Sequence, residues 1–152
     1  MFRICKTFEF ESGHVLSKSR DGCRFPHGHS RRVEVVLTAQ QLDDNDMVCD
    51  FRWIKLALQD ILQRLDHAMC INQSDPRLEG FRKMQAKLEL FPDQDPTSEV
   101  TARLIFAHLQ TKLNQRLELS SQDGSVYCVP AGLCLERVRL WETSTSWAEY
   151  SG

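Results

Sequence analysis

The chain lacks any apolar run approaching the length of a membrane span, so no spanning helix is expected. It also lacks a charge bias: a formal net charge of -2 at pH 7 gives no reason to expect nucleic acid or an anionic membrane as partner. No glycine-rich dinucleotide loop, internal repeat or low-complexity segment occurs. The first residues, Met1-Phe2-Arg3-Ile4-Cys5-Lys6, carry no signal-peptide pattern. The six cysteines (Cys5, Cys23, Cys49, Cys70, Cys128 and Cys134) have no framework spacing, so they are expected as reduced thiols, most of them small buried hydrophobes, in the cytoplasm. What remains is an ordinary globular composition, 41% apolar and 26% charged, read as one domain over residues 1–152 with enough chain for a core.

Residues 2–12 alternate, with Phe2, Ile4, Phe8 and Phe10 on one parity, which predicts a half-buried strand. A second strand is expected from His29 through Val33, Val35 and Leu37, ending in the acidic turn Leu42 to Asp46. Asp50 then caps a helix whose stripe is Phe51, Ile54, Leu58, Ile61, Leu62 and Leu65, ending at Leu65-Asp66-His67. A second helix is expected from Asp95-Pro96-Thr97-Ser98-Glu99, with Asp95 as N-cap and the stripe Ala102, Ile105, Phe106, Leu109, Leu113 and Leu117. The span Gln73 to Gln94 is long for a plain connection, and Leu78, Phe81, Met84 and Leu88 suit a short extra helix. Residues 125–142 and 146–150 read as closing strands. The order is α+β, with two helices covering one face of an antiparallel sheet. The other face would need cover, most simply from oligomerisation.

Within Cys23-Arg24-Phe25-Pro26-His27-Gly28-His29, an extended backbone sends His27 and His29 to the same face. His14 lies just upstream, at the end of the first strand. Three of the five histidines within sixteen residues point to a metal site, and imidazole suits zinc, copper, iron and nickel. Cys23 has three readings: a buried bystander, a fourth ligand closing a structural zinc site, or a thiolate acting on something bound to the metal. Asp66-His67 reads as a helix end, or as a carboxylate-oriented imidazole that relays protons if the fold brings it near Cys23. Glu142 shares the apolar parity of Val138 and Leu140, so it lies at an exposed strand end or binds something. His108 reads as a partly exposed packing residue. Arg31 and Arg32 would either meet an anionic substrate group or lie on a solvated strand face.

The chain resembles the 6-pyruvoyl-tetrahydropterin synthase family through Phe8-Glu9-Phe10-Glu11-Ser12-Gly13-His14, Cys23 to His29, Asp50-Phe51, Leu65-Asp66-His67, Pro96-Thr97-Ser98-Glu99 and Glu142-Thr143 with Tyr150. Three residues, not five, separate Cys23 from His27, which is similar to the bacterial 6-carboxy-tetrahydropterin synthase branch of queuosine biosynthesis. The resemblance implies the tunnelling fold: a four-stranded antiparallel sheet with two helices on one face, in trimers paired as hexamers with sites between subunits. It implies Zn²⁺ on His14, His27 and His29, Cys23 as base, and Asp66 and His67 as relay. Glu142 would anchor the pterin, and Thr97 and Ser98 would line its pocket. The implied reaction is zinc-dependent conversion of 7,8-dihydroneopterin triphosphate to the 6-carboxy product, acetaldehyde and triphosphate. The alternatives are the pyruvoyl-forming synthase and a structural zinc protein without turnover. Arg31 stands where the family pattern has an aromatic residue, Ser12-Gly13 replaces a small apolar pair, and the 73–94 span is longer than usual.

Overall fold

The computed structural model describes residues 1–152. Strand β1 (Phe2–His14) and strand β2 (His27–Ala39) form a long antiparallel pair, with Phe2 opposite Ala39 and His14 opposite His27. Both strands run further than the alternation alone predicts: β1 continues through Gly13 to His14, and β2 already begins at His27. Gly13 faces Gly28 across this ladder, so the strands meet there as bare backbone. A Cβ on Gly28 would come 3.3 Å from the Ser12 carbonyl oxygen, a close approach that favours glycine.

Helix α1 (Phe51–Leu65) starts where the Asp50 carboxylate accepts the Arg52 amide at 2.8 Å. It ends at Asp66, and His67 adopts a left-handed backbone with φ of 56° that turns the chain into β3 (Ala68–Asn72). A short helix α2 (Leu78–Lys83) and strand β4 (Leu88–Phe91) follow, then helix α3 (Ser98–Asn114). A two-stranded ribbon, β5 (Leu119–Ser120) with β6 (Val126–Tyr127), precedes the closing strands β7 (Cys134–Trp141) and β8 (Trp147–Tyr150).

The main sheet has six strands in the order β4-β3-β1-β2-β7-β8. The four expected antiparallel strands are β1, β2, β7 and β8, and the α+β class holds. The four-stranded, two-helix expectation is corrected in its detail. β3 runs parallel to β1 and β4 parallel to β3, with α2 as the crossover that parallel neighbours require. The long 73–94 span is therefore folded, and it widens the sheet.

Helices α1 and α3 cover one face. Phe10, Val33, Val35, Leu37, Val138 and Leu140 meet Trp53, Ile54, Leu58, Ile61, Ile105 and Leu109 in one buried cluster. Phe51, expected in the α1 stripe, is 46% exposed, while Trp53 is fully buried with its indole N–H donating to the Leu117 carbonyl at 2.9 Å. That bond holds Leu117 beyond the end of α3, which stops at Asn114. Asp95 is not the N-cap of α3; Thr97 is, its hydroxyl accepting the Val100 amide at 3.3 Å. On the opposite face α2 covers only the β3–β4 edge, where Leu78 and Phe81 pack on Ile71, and β2 and β7 carry no second layer. There the Arg139 guanidinium lies 3.9 Å from the Trp147 ring centroid and that of Arg32 4.4 Å from Trp141. No helix is long and apolar enough to cross a membrane.

Candidate active site

The strand ends of β1 and β2 carry the site. Even-numbered β1 residues and odd-numbered β2 residues face α1 and α3, as buried Phe10, Val33 and Val35 show. His14, His27 and His29 therefore project to the helix-covered face. The Nε2 atom of His14 lies 2.9 Å from that of His27 and 3.2 Å from that of His29. Glu142, the residue after β7, continues the inward parity of Val138 and Leu140. Its Oε1 comes 3.3 Å from His14 Nε2 and 3.1 Å from His29 Nε2. The four donor atoms lie within 4.8 Å of one another.

These residues fit a metal ion. His14 Nδ1 lies 2.9 Å from the Pro96 carbonyl oxygen and His27 Nδ1 lies 2.8 Å from that of Phe25. Each carbonyl takes an Nδ1 proton, which turns the unprotonated Nε2 inward. Arg31 Nη2 is a competing donor 3.1 Å from His14 Nδ1, but the carbonyl is closer and leaves Nε2 free. Nitrogen lone pairs facing each other beside a carboxylate repel unless a proton or cation lies between them. The Glu142 carboxyl is held down to about 2 by its close contact with the His14 imidazole and then, against burial, by the Arg31 charge, so it stays anionic. Burial, then Arg31, pushes the His29 imidazole down, which favours its neutral, ligating form.

Cys23 sits on a 3-10 turn, Gly22–Arg24, capped by Asp21, whose carboxylate accepts the Cys23 amide at 3.0 Å. Its sulfur is outside the four-atom donor group. Burial, then the Asp21 carboxylate, raises its thiol above the ordinary value, and a cation nearby acts in the opposite sense.

Asp66 and His67 form a pair at the end of α1, with His67 Nδ1 2.9 Å from Asp66 Oδ2. The Glu11 amide donates to the other carboxylate oxygen at 2.9 Å, and these two contacts lower the Asp66 carboxyl. The His67 side chain is 75% exposed and lines a cleft of about 510 Å³ with Glu11, Gly13, Gly28, Ser30 and Met69. Glu11, Gly13, Gly28 and Ser30 have the parity of the sheet face turned away from α1 and α3. One chain therefore does not bring His67 together with the three-histidine cluster.

Thr97 caps α3, and Ser98 is buried, its hydroxyl accepting from Arg31 Nη1 at 3.0 Å. Arg31 itself is 2% exposed, with Nε donating to Ser12 at 2.9 Å. The solvated-face expectation for Arg31 is thereby corrected. Opposite Phe10 in the ladder, it points inward beneath the histidine cluster, whereas Arg32 takes the open face. Two polar groups at the site went unread in the sequence: the Pro96 carbonyl, which carries no side-chain signal, and Glu142 as a companion of the imidazoles. The parity of Glu142 was the available clue to the second.

Residues 3–152 match the family model for 6-pyruvoyl tetrahydropterin synthase. The chain belongs to that family. It is 33% identical to the 6-carboxy-5,6,7,8-tetrahydropterin synthase of Aquifex aeolicus, over 98% of this chain and 97% of that protein. It is 31% identical to the synthase of the same name from Haemophilus influenzae, over 99% of each. Among solved structures it superimposes on 6-pyruvoyl tetrahydropterin synthase of Caenorhabditis elegans with a TM-score of 0.66 at 20% identity, covering 99% of this chain and 95% of that one. An uncharacterized protein from Wolinella succinogenes gives 0.73 at 21% identity, covering 99% and 97%. The tunnelling fold of this enzyme family is thus the fold of this chain, with the β3–α2–β4 unit set against one edge.

Proposed function

We propose that this enzyme converts 7,8-dihydroneopterin triphosphate to 6-carboxy-5,6,7,8-tetrahydropterin, acetaldehyde and triphosphate, a step of queuosine biosynthesis, at a zinc site of His14, His27 and His29. The observation that carries the reading is the convergence of those three imidazoles beside Glu142, in a chain similar over its whole length to synthases of that name. Bound zinc would supply Lewis acidity to a side-chain hydroxyl of the substrate.

The other roles belong to the chain. Cys23, outside the donor group, takes a proton from the substrate side chain. Asp66 holds the Nδ1 proton of His67, leaving Nε2 to pass protons to later intermediates. Glu142, kept anionic, receives the amino and ring N–H edge of the pterin, with Thr97 at the pocket wall and Ser98 behind it. The pterin ring takes up the electrons released by the side chain, so the reaction is internally redox-neutral. The exposure of His67 on the far sheet face supports assembly as a homohexamer, in which His67 of one copy serves Cys23 of another.

The experiment is mass spectrometry of the products formed by zinc-loaded protein from 7,8-dihydroneopterin triphosphate, with acetaldehyde trapped in parallel. A 6-carboxy product with acetaldehyde is expected, and a 6-pyruvoyl product would overturn the branch assignment. Cys23→Ala should abolish turnover, by about 10³-fold or more, with zinc still bound. Loss of zinc from that variant would make Cys23 a ligand instead.

A further inference from the structure

Residues 15–26 join β1 to β2 and carry Cys23, with only one short turn of regular structure between two strands that end in metal-site histidines. A loop of this kind holds its shape only where neighbours tie it down. Its ties run to β3 and the segment after it. The Val15 amide donates to the Cys70 carbonyl at 3.3 Å, and fully buried Val15 packs with Ile71, Leu78 and Phe81. Ser17 Oγ and the Lys18 amide donate to buried Asp95 at 2.6 and 2.7 Å. Within the loop the Leu16 amide donates to the Cys23 carbonyl at 3.1 Å, and the nearest tie from outside is Arg77, whose Nη1 donates to the carbonyl of Arg24, the residue after Cys23.

Arg77 is itself fixed. Its Nε donates to Asp75 Oδ1 at 2.9 Å and its Nη2 to Oδ2 at 2.7 Å, a two-point fork on a carboxylate with no exposed side-chain surface. The Arg77 amide donates to the same Oδ1 at 2.8 Å. With two arms of the planar guanidinium pinned, the third is pre-aimed at the loop. The segment behind Arg77 is anchored as well: β4 pairs with β3 from Met69–Leu88 to Asn72–Phe91. It is sheet-bonded scaffold and not a lid.

We propose that the 73–94 segment is a brace for the Cys23 loop and that Arg77 is its positioning residue. Holding the Arg24 carbonyl fixes the peptide next to Cys23, and with it where the thiol stands relative to the histidine cluster. The inference rests on the assignment of Cys23 as the proton-abstracting group. It adds a device that sets the geometry of that group from a separate folded unit.

The test compares Arg77→Met and Arg77→Lys with the parent protein, and with Arg82→Met as a control on the same helix, whose guanidinium pairs only with exposed Glu79. Turnover of 7,8-dihydroneopterin triphosphate is measured with zinc content, Tm, and the rate and pH profile of iodoacetamide alkylation read on the Cys23 peptide. Displacing a reacting group by about an ångström costs on the order of 100-fold in rate. Arg77→Met should therefore lower kcat by roughly 10- to 100-fold with KM and zinc retained. It should also alter Cys23 alkylation, Arg77→Lys should recover part of both effects, and Arg82→Met should change neither. Unchanged kcat and Cys23 alkylation in Arg77→Met would overturn the brace. So would a loss of kcat, KM and zinc together that tracks a fallen Tm, since that is merely structural. If the parent protein does not turn over the pterin triphosphate but Cys23 alkylation responds to Arg77→Met, the brace stands and the substrate assignment fails.

Discussion

Metal loading should stabilise this fold by an amount that a melting experiment resolves. Folding brings the Nε2 atoms of His14, His27 and His29 within 2.9–3.2 Å contacts and adds Glu142 Oε1 beside them. A cation between these groups relieves their repulsion only in the folded state, because the unfolded chain scatters them. A ligand that binds only the folded form adds about 2.7 kcal/mol at a hundredfold excess over Kd. A chain of 152 residues loses stability at about 0.3 kcal/mol per degree near its midpoint, so Tm should rise by about 8 °C. The assay is a thermal melt of chelator-stripped protein titrated with zinc between pH 5 and 8. The increment should be full above about pH 7 and shrink as pH falls through about 6, since protons then occupy the nitrogens. His29 follows the same sign: its lowered imidazole favours the neutral form when folded, and that contribution is lost on acidification. His27→Ala, with two imidazoles left, should lose more than half of the shift. No shift in the parent protein at saturating zinc, or an equal shift in His27→Ala, would refute the reasoning.

Two other outcomes follow from the geometry. Because His67 and the three-histidine cluster lie on opposite sheet faces, Cys23→Ala and His67→Ala should each be inactive alone. Unfolding and refolding them together should restore activity, about a quarter of the parent value if copies mix at random and sites form between neighbours; no recovery would place both residues in one copy's site. Asp95 predicts an acid limb of stability. Burial alone would raise its carboxyl, but hydrogen bonds from Ser17, the Lys18 amide and Asn72 outweigh that and hold it low. Its contribution is then complete above about pH 4 and lost as pH falls through the lowered value. Asp95→Asn should flatten the dependence of Tm on pH between 5 and 2.5, and an unaltered slope would show that the Asp95 contacts contribute nothing.

Much of the molecule was legible in local pattern. Alternation located β1 and β2, the apolar period located α1 and α3, and Asp50 marked a true cap. The His14, His27 and His29 set was readable because extended backbone fixes side-chain parity over short distances. The parity of Glu142 likewise left it either at an exposed strand end or binding something, without saying what lay beside it. The misreadings have a common origin. Asp95 looks like a helix cap because Asp-Pro-Thr-Ser suits one, yet a neighbouring loop claims its carboxylate and leaves the cap to Thr97. Arg31 reads as facing an anionic substrate group or solvent because charge is costly to bury, yet Ser12, Ser98 and His14 surround it.

By itself the sequence determined β1, β2, α1 and α3, the shared face of His14, His27 and His29, and the family, because each depends on spacing within a strand or helix or on motifs in order along the chain. Only the tertiary structure decided what faces what across long separations. It set Glu142 beside His14, folded the 73–94 span into α2 and a strand, β4, parallel to β3, with Arg77 reaching the Cys23 loop, and put His67 on the face away from the histidines. Those contacts join residues from 19 positions apart, Met69 with Leu88, to 128 apart, His14 with Glu142. They are settled by which faces must be buried together, a property of the packed sheet and helices that no local spacing encodes.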